Sequence, residues 1–288
     1  MEAGRRSRTA EAAAILRAMH RHVDDAPLIF TDEAVEALLP GYARRFLRRI
    51  DELPQQWLRI YRQRRIGLAP MRAQIVVRAR YAEDALDRAR LRGAGQYLIL
   101  AAGLDTFALR DTRRELPVFE IDHPATQQWK RSLLGAIPEH LEFVPVDFER
   151  ETLNQALAAT TFSTKTAAFI SWLGTTYYLH ERALRDTLGS LAALCAPGTE
   201  LVFDYWSRTT LADGGAQVLL TGIRIATAFQ AEPIRSLYEP AAMEALVGAC
   251  GWHIREHCAA QIANARYLAG RDDGLEVPPF SYLMHLEL

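Results

Sequence analysis

The run Tyr97-Leu-Ile-Leu-Ala-Ala-Gly-Leu-Asp-Thr-Phe107 constrains the fold more than any other stretch of this chain. Tyr97 to Leu100 are largely apolar, the pattern of a buried strand. They lead into two alanines and Gly103, then into Asp105-Thr106, a good helix N-cap pair. A strand that turns tightly at a glycine and enters a helix aims backbone N–H groups at a nucleotide-like ligand. In such folds an acid about 20 residues beyond the glycine holds ribose hydroxyls. Asp122 stands there, at the end of a second apolar strand, Pro117 to Ile121. The pair predicts an adenosine-containing cofactor.

The rest of the chain is consistent with an α/β fold. Short apolar runs recur at 97–101, 117–121, 143–146, 167–172 and 199–205, with helical patterns over 124–136, 151–159 and 181–196. That alternation predicts a parallel sheet covered by helices. After Tyr205 the rhythm breaks, with an insertion at 207–237, a helix near 240–250 and strands near 252–257 and 281–287. Residues 8–92 read as helices, with Thr9 as an N-cap and patterns over Tyr42 to Ile50 and Met71 to Leu91. The expected division is a helical N-terminal cover, 1–92, on a core, 93–288, carrying the insertion near 207–237. Together they form one compact unit.

Charge narrows the partners. A net charge of −1 hides a basic first third and an acidic remainder. From Arg44 to Arg65 arginines alternate with Phe46, Trp57 and Tyr61. That composition suits a nucleic-acid groove, but it suits equally an amphipathic helix pair whose arginines snorkel, and the second reading is preferred. No nucleic-acid partner is expected. Three cysteines, Cys195, Cys250 and Cys258, show no paired spacing, which argues against a disulfide framework and a zinc site. No apolar run is long enough to cross a membrane. A cytoplasmic enzyme without metal is the expectation, and oligomeric state is not readable.

The choice of cofactor turns on glycines. A dinucleotide fingerprint needs G-x-G-x-x-G to approach a pyrophosphate. Here those positions are Ala101, Gly103 and Thr106, and one glycine cradles a diphosphate poorly. S-adenosylmethionine carries no phosphate and suits the turn better. Asp147, after the strand Phe143-Val-Pro-Val, can accept the adenine amino group, with Phe148 beside the ring. Asp105 reads equally as a cap or a ligand contact.

At this point the residues resemble a known family. The chain is similar to the bacterial branch of the leucine carboxyl methyltransferase-like proteins, class I S-adenosylmethionine-dependent methyltransferases. The similarity runs through Arg78-Ala-Arg-Tyr-Ala-Glu-Asp-Ala-Leu86 and Ala102-Gly-Leu-Asp-Thr-Phe-Ala-Leu-Arg110. It continues in Phe119-Glu-Ile-Asp-His-Pro124, Phe143-Val-Pro-Val-Asp-Phe-Glu149 and Ser171-Trp-Leu-Gly-Thr-Thr-Tyr-Tyr-Leu179, and ends in Glu232-Pro-Ile-Arg235 and Asn264-Ala-Arg-Tyr-Leu-Ala-Gly270. The resemblance implies a Rossmann-like, seven-stranded sheet in the order 3-2-1-4-5-7-6, its last strand antiparallel, beneath a helical cover. It implies that Arg78 holds the methionine carboxylate and that Asp122 and Asp147 are the acids after the second and third strands. Arg80, roughly 200° further around the helix, should point elsewhere. Two positions depart from the pattern. Ala101 replaces the first glycine, and its methyl is expected to crowd the cofactor. Leu173 stands where eukaryotic relatives have a glutamate after the fourth strand.

The implied chemistry is in-line methyl transfer to a carboxyl or hydroxyl oxygen of a small-molecule acceptor. His123, His180 and Tyr177 are the candidate catalytic groups, the histidines as bases for a hydroxyl substrate. Trp172, Tyr177, Tyr178, Tyr205 and Trp206 form a candidate aromatic wall for a flat acceptor, with Arg224 or Arg235 as a carboxylate anchor. The rival readings are a nicotinamide-dependent oxidoreductase and a non-catalytic interaction module.

Overall fold

The computed structural model describes residues 7–54, 57–58, 68–147, 151–208, 214–229 and 232–288. Its centre is one seven-stranded sheet in the order β3-β2-β1-β4-β5-β7-β6. The strands are β1 (Gln96–Leu100), β2 (Val118–Asp122), β3 (Leu141–Pro145), β4 (Ala168–Trp172), β5 (Glu200–Trp206), β6 (His253–Ala259) and β7 (Ser281–Glu287). Pairings among β1 to β5 are parallel; β7 runs antiparallel to both of its neighbours. The sequence reason is local. Every residue of β1, β4 and β5 is buried, as in strands covered on both faces.

The helices are α1 (Arg8–Val23), α2 (Gly41–Asp51), α3 (Ala69–Leu91), α4 (Phe107–Arg110), α5 (Pro124–Leu133), α6 (Leu153–Ala158), α7 (Glu181–Leu194), α8 (Gly214–Phe229), α9 (Pro240–Ala249) and α10 (Ala260–Tyr267). On one face α3 and α10 lay Val76, Val77, Ala263 and their neighbours against Tyr97, Phe169 and Val202. On the other, α6, α7 and α9 pack Leu157, Leu188 and Val247 against Leu98, Ile170 and Phe203. The switch between β1 and β4 puts a crevice at the carboxyl ends of these strands, the ligand position of open α/β sheets.

The N-terminal helices carry their own core of Ala14, Ala18, Leu38, Ala43 and Leu47, and it includes Leu104 from the turn after β1. Ser7, not Thr9, caps α1: its hydroxyl accepts the N–H of Ala10 at 3.1 Å. Thr9 instead hydrogen-bonds Glu232, beyond α8. The cover is held by buried charge. Arg72 on α3 donates from Nε and Nη2 to Asp24 at 3.0 and 2.7 Å, and His20 Nδ1 lies 2.9 Å from the same carboxylate. All three side chains are sealed from solvent. Ile29 donates its N–H to His20 Nε2 at 3.0 Å, so His20 carries its proton on Nδ1, toward Asp24. Asp32, also sealed, accepts the Thr106 hydroxyl at 2.6 Å and pairs with Arg17 and Arg110. Through these bonds the cover meets the turn after β1 directly. The expected arginine-rich helix pair lies partly outside the described residues; of it, α2 exposes Arg44, Arg45, Arg48 and Arg49. Among the described residues no helix is long and apolar enough to cross a membrane.

Candidate active site

Two residues of the turn after β1 have left-handed backbones: Ala101 at φ +51° and Gly103 at φ +52°. Gly103 needs its glycine twice. The left-handed region disfavours a side chain, and a Cβ there would sit 3.0 Å from the Ala10 methyl of α1. Its N–H donates to Asp122 Oδ2 at 2.6 Å, while the N–H of His123 donates to Oδ1, also at 2.6 Å. Burial holds the Asp122 carboxyl above its ordinary value, and these two donors offset only part of that rise. A carboxylate oxygen has two acceptor sites, so both oxygens retain one for a ligand.

Ala101 is a non-glycine residue in a conformation glycine prefers, and its methyl packs against the cluster of Leu100, Ile121 and Trp172. The departure at this position therefore appears as backbone strain, about 1–2 kcal/mol for a left-handed alanine. Ala101→Gly is expected to raise stability by up to about 1 kcal/mol, since glycine's extra unfolded-state entropy offsets part of the gain. Urea unfolding measures it. The expected change in cofactor affinity, read by calorimetry, is less than about twofold, because the methyl faces the core.

The acid Asp105 combines two roles. Its Oδ1 accepts the N–H of Phe107 at 2.7 Å, which starts α4, and its carbonyl accepts Lys130 Nζ at 2.5 Å. Lys130 is buried on α5 and pairs with Glu120 Oε2 at 2.5 Å. Burial raises the Glu120 carboxyl to about 7, against the pull of Lys130. Glu120, on β2, is thus half of a buried pair that holds the turn from below. Lys130 carries no local sequence signal of this support, because its partner carbonyl lies 25 residues away.

Further along the sheet edge, Asp147 follows β3 and its carbonyl caps the next turn through Glu151 N–H at 2.9 Å. Phe148 lies outside the described residues. Leu173 follows β4 and lines a small cavity with Tyr97, Asp105, Thr106 and Phe30. Gly174, at φ +77°, lies so close to Arg78 that a Cβ would meet Nη2 at 2.7 Å. Arg78 Nη1 donates to Asp204 Oδ2 and to the Tyr177 hydroxyl, each at 3.1 Å. Asp204 Oδ1 takes the Gly174 N–H at 2.6 Å, so this one β5 carboxylate fixes both the arginine and the loop above it. Nothing in the sequence marked Asp204, inside an apolar strand. Arg80 points away, as its angle predicts, and pairs with Asp84 at 2.7 Å.

The three candidate catalytic groups differ from their expected roles. His123 Nδ1 accepts the N–H of Ala125 at 3.2 Å and caps α5, so the neutral ring carries its proton on Nε2. His180 Nε2 lies 3.0 Å from Arg235 Nη1, and a guanidinium can only donate. Each histidine has spent the lone pair a base would use. Tyr177 is buried and stacked on Trp206 at 4.1 Å, and burial holds its phenol far above its usual value. It accepts from Arg78 and keeps its proton, which makes it a donor rather than a base. The aromatic wall divides: Trp172 and Tyr205 belong to the core under α7 and α9, while Tyr177, Tyr178 and Trp206 share a cluster with α8 and Phe280. Arg235 is engaged by His180. Among the described residues no three His, Cys, Asp or Glu side chains converge on a metal position.

Comparison with known proteins fits this geometry. The family model of leucine carboxyl methyltransferase matches residues 10–192. A Bacillus subtilis protein, YktD, named as a candidate S-adenosyl-L-methionine-dependent methyltransferase, is 31% identical over 97% of both chains. The chain belongs to the leucine carboxyl methyltransferase family. A Mycolicibacterium paratuberculosis protein of the same description is 38% identical, over 47% of this chain and 44% of its own length. Two solved structures share the fold. A candidate methyltransferase of Thermobifida fusca superposes with a TM-score of 0.59 at 15% identity, covering 98% of this chain and 95% of its own. A DUF574 family protein of Streptomyces avermitilis gives 0.56 at 14% identity, covering 96% of each. For a member of the leucine carboxyl methyltransferase family, the nicotinamide-dependent reading falls. The seven-stranded order implied by the resemblance is the observed one.

Proposed function

We propose that this S-adenosylmethionine-dependent methyltransferase methylates oxygen, and that the attacking oxygen belongs to the carboxylate of a small-molecule acceptor. The carrying observation is the absence of a free base at the three candidate groups. His123 and His180 have their lone pairs engaged, and Tyr177 holds its proton. A hydroxyl acceptor must lose a proton; a carboxylate arrives ionised.

When bound, S-adenosylmethionine supplies a methyl group already activated as a sulfonium. The donor set suits such a ligand. In this reading Asp122 accepts the ribose hydroxyls through its two remaining lone-pair sites, and Asp147 takes the adenine amino group. The turn Ala101 to Asp105 lies against the nucleoside, and Leu173 forms an apolar wall. Arg78, raised by Asp204 and Tyr177 despite its burial, stays cationic and offers its remaining N–H groups to the methionine carboxylate. The protein's share of the chemistry is alignment: holding oxygen and methyl in line supplies up to about 7–11 kcal/mol of barrier lowering. The carboxylate oxygen bonds the methyl carbon as the sulfur–carbon bond breaks, giving a methyl ester and S-adenosylhomocysteine with no proton transferred. Three free cysteines support a reducing, cytoplasmic setting.

The product's chemistry tests this. With a radiolabelled methyl group and a panel of organic acids and phenols, the expected product releases labelled methanol in mild alkali, as an ester does. A product stable to alkali would mean an ether or a methylated nitrogen, and the carboxylate reading would be lost.

A further inference from the structure

The first turn of α1 lies on the turn after β1, where a Cβ at Gly103 would sit 3.0 Å from the Ala10 methyl. The rest of α1 is fastened by buried charge. Arg17 pairs with the sealed Asp32 and donates to the Leu104 carbonyl, and His20 and Asp24 meet Arg72. The first turn is held differently. The Ser7 and Thr9 hydroxyls and the Arg8 N–H all donate to one carboxylate, that of Glu232. Arg8 N–H reaches Oε1 at 3.3 Å, and Ser7 Oγ reaches Oε2 at 3.4 Å. These bonds are exposed or half-buried. An anion at this end also meets the positive pole of a 16-residue helix.

The chain around Glu232 is tied to the loop after β4, not to the cover. Arg235 and Ser236 donate their N–H groups to the Tyr177 carbonyl at 2.8 and 3.2 Å, and the Ser236 hydroxyl donates to the Leu179 carbonyl at 2.5 Å. Tyr177 in turn accepts from Arg78. The Tyr178 phenol is raised by burial and by the charge of Glu232, so it keeps its proton beside the carboxylate.

We infer that Glu232 is a latch: its carboxylate holds the first turn of α1 down over the bound cofactor, and the cofactor enters and leaves when that carboxylate lets go. This rests on the placement of the nucleoside against the turn Ala101 to Asp105 proposed above. Glu232 touches no reacting atom and is a positioning residue that acts through α1. The end of α1 that must lift off Gly103 is the end held only at the surface. The half from Arg17 onward stays anchored and serves as the hinge. Three donors on one charged acceptor favour the closed cover. Each of those bonds can be exchanged for a bond to water, so opening remains accessible during turnover.

Surface plasmon resonance tests the latch, with the full chain immobilised and S-adenosylhomocysteine in solution. Glu232→Ala is expected to raise the association and dissociation rate constants together, each by about 10-fold, with their ratio within about threefold of wild type. Glu232→Gln keeps one acceptor oxygen and should fall between the two. Thr9→Val removes a hydroxyl from the other side of the clasp and keeps its shape, so it should also speed both rates. Combined with Glu232→Ala it should add little. An ordinary contact would raise dissociation alone. That result, or wild-type rates in Glu232→Ala and Thr9→Val, overturns the latch and leaves the cofactor placement standing. A wild-type chain that does not bind S-adenosylhomocysteine overturns the placement and the latch with it.

Discussion

Alanine in place of Asp122 is expected to weaken S-adenosylmethionine binding by about 100-fold or more, measured by calorimetry. Each hydrogen bond to a charged acceptor contributes about 1.5–3 kcal/mol, and two ribose hydroxyls are assigned to this carboxylate. The same change frees the N–H groups of Gly103 and His123, which now end on Oδ2 and Oδ1. The turn loses its anchor along with the ligand contact. Asp122→Asn separates the two effects. One side of its amide is a donor and must face one of those N–H groups, so it disturbs the turn while keeping the shape. Both should bind poorly; alanine, which leaves both N–H groups without their acceptor, should also melt lower, and asparagine, which keeps one acceptor, should melt closer to wild type. Wild-type affinity in either would place the ribose elsewhere.

The second large effect is on stability. Asp24→Ala is expected to cost about 3–5 kcal/mol in urea unfolding, because it strips a buried guanidinium of its carboxylate. Arg72 loses both of its bonds to Asp24, and His20 loses the acceptor of its Nδ1–H. The total stability of a domain is commonly about 5–15 kcal/mol, so the variant should sit near the folding threshold. Replacing the whole set, with Arg72→Met, Asp24→Leu and His20→Leu together, should cost far less than three single losses, since no charge is stranded. If Asp24→Ala unfolds at the wild-type urea concentration, the triad carries no structural weight. The cover reaches the turn after β1 through Leu104, Arg17 and Asp32, so cofactor affinity should fall in Asp24→Ala even where it remains folded.

The strands, the turn and the acids at the strand ends were readable because each is written in a few consecutive residues. A buried parallel strand must be apolar throughout, and a left-handed turn selects glycine whatever surrounds it. The segment Tyr97 to Phe107 and Asp122 therefore appeared where the chain's own spacing put them. The helix α10 carries no strong local signal: Ala260 to Tyr267 shows no clear apolar periodicity, and its packing on β6 and β7 supplies what its pattern lacks. The histidines could not be judged from sequence. Whether a ring nitrogen is a base depends on what donates to it. For His180 the neighbour is Arg235, 55 residues away. Ala101 shows the same limit in the backbone. The missing glycine was visible; that alanine takes the left-handed conformation regardless, with its methyl packed against the core, was not.

By itself the sequence determined the sheet, its strand order through the family resemblance, and the glycine turn and acids at the strands' carboxyl ends, because hydrophobic period and turn chemistry act over short stretches of chain. Only the tertiary structure decided that Asp204 secures Arg78 and that Lys130 supports the Asp105 carbonyl. Those outcomes depend on which distant side chains the crossover connections bring within about 3 Å, and hydrogen bonding at that range has no imprint on local pattern.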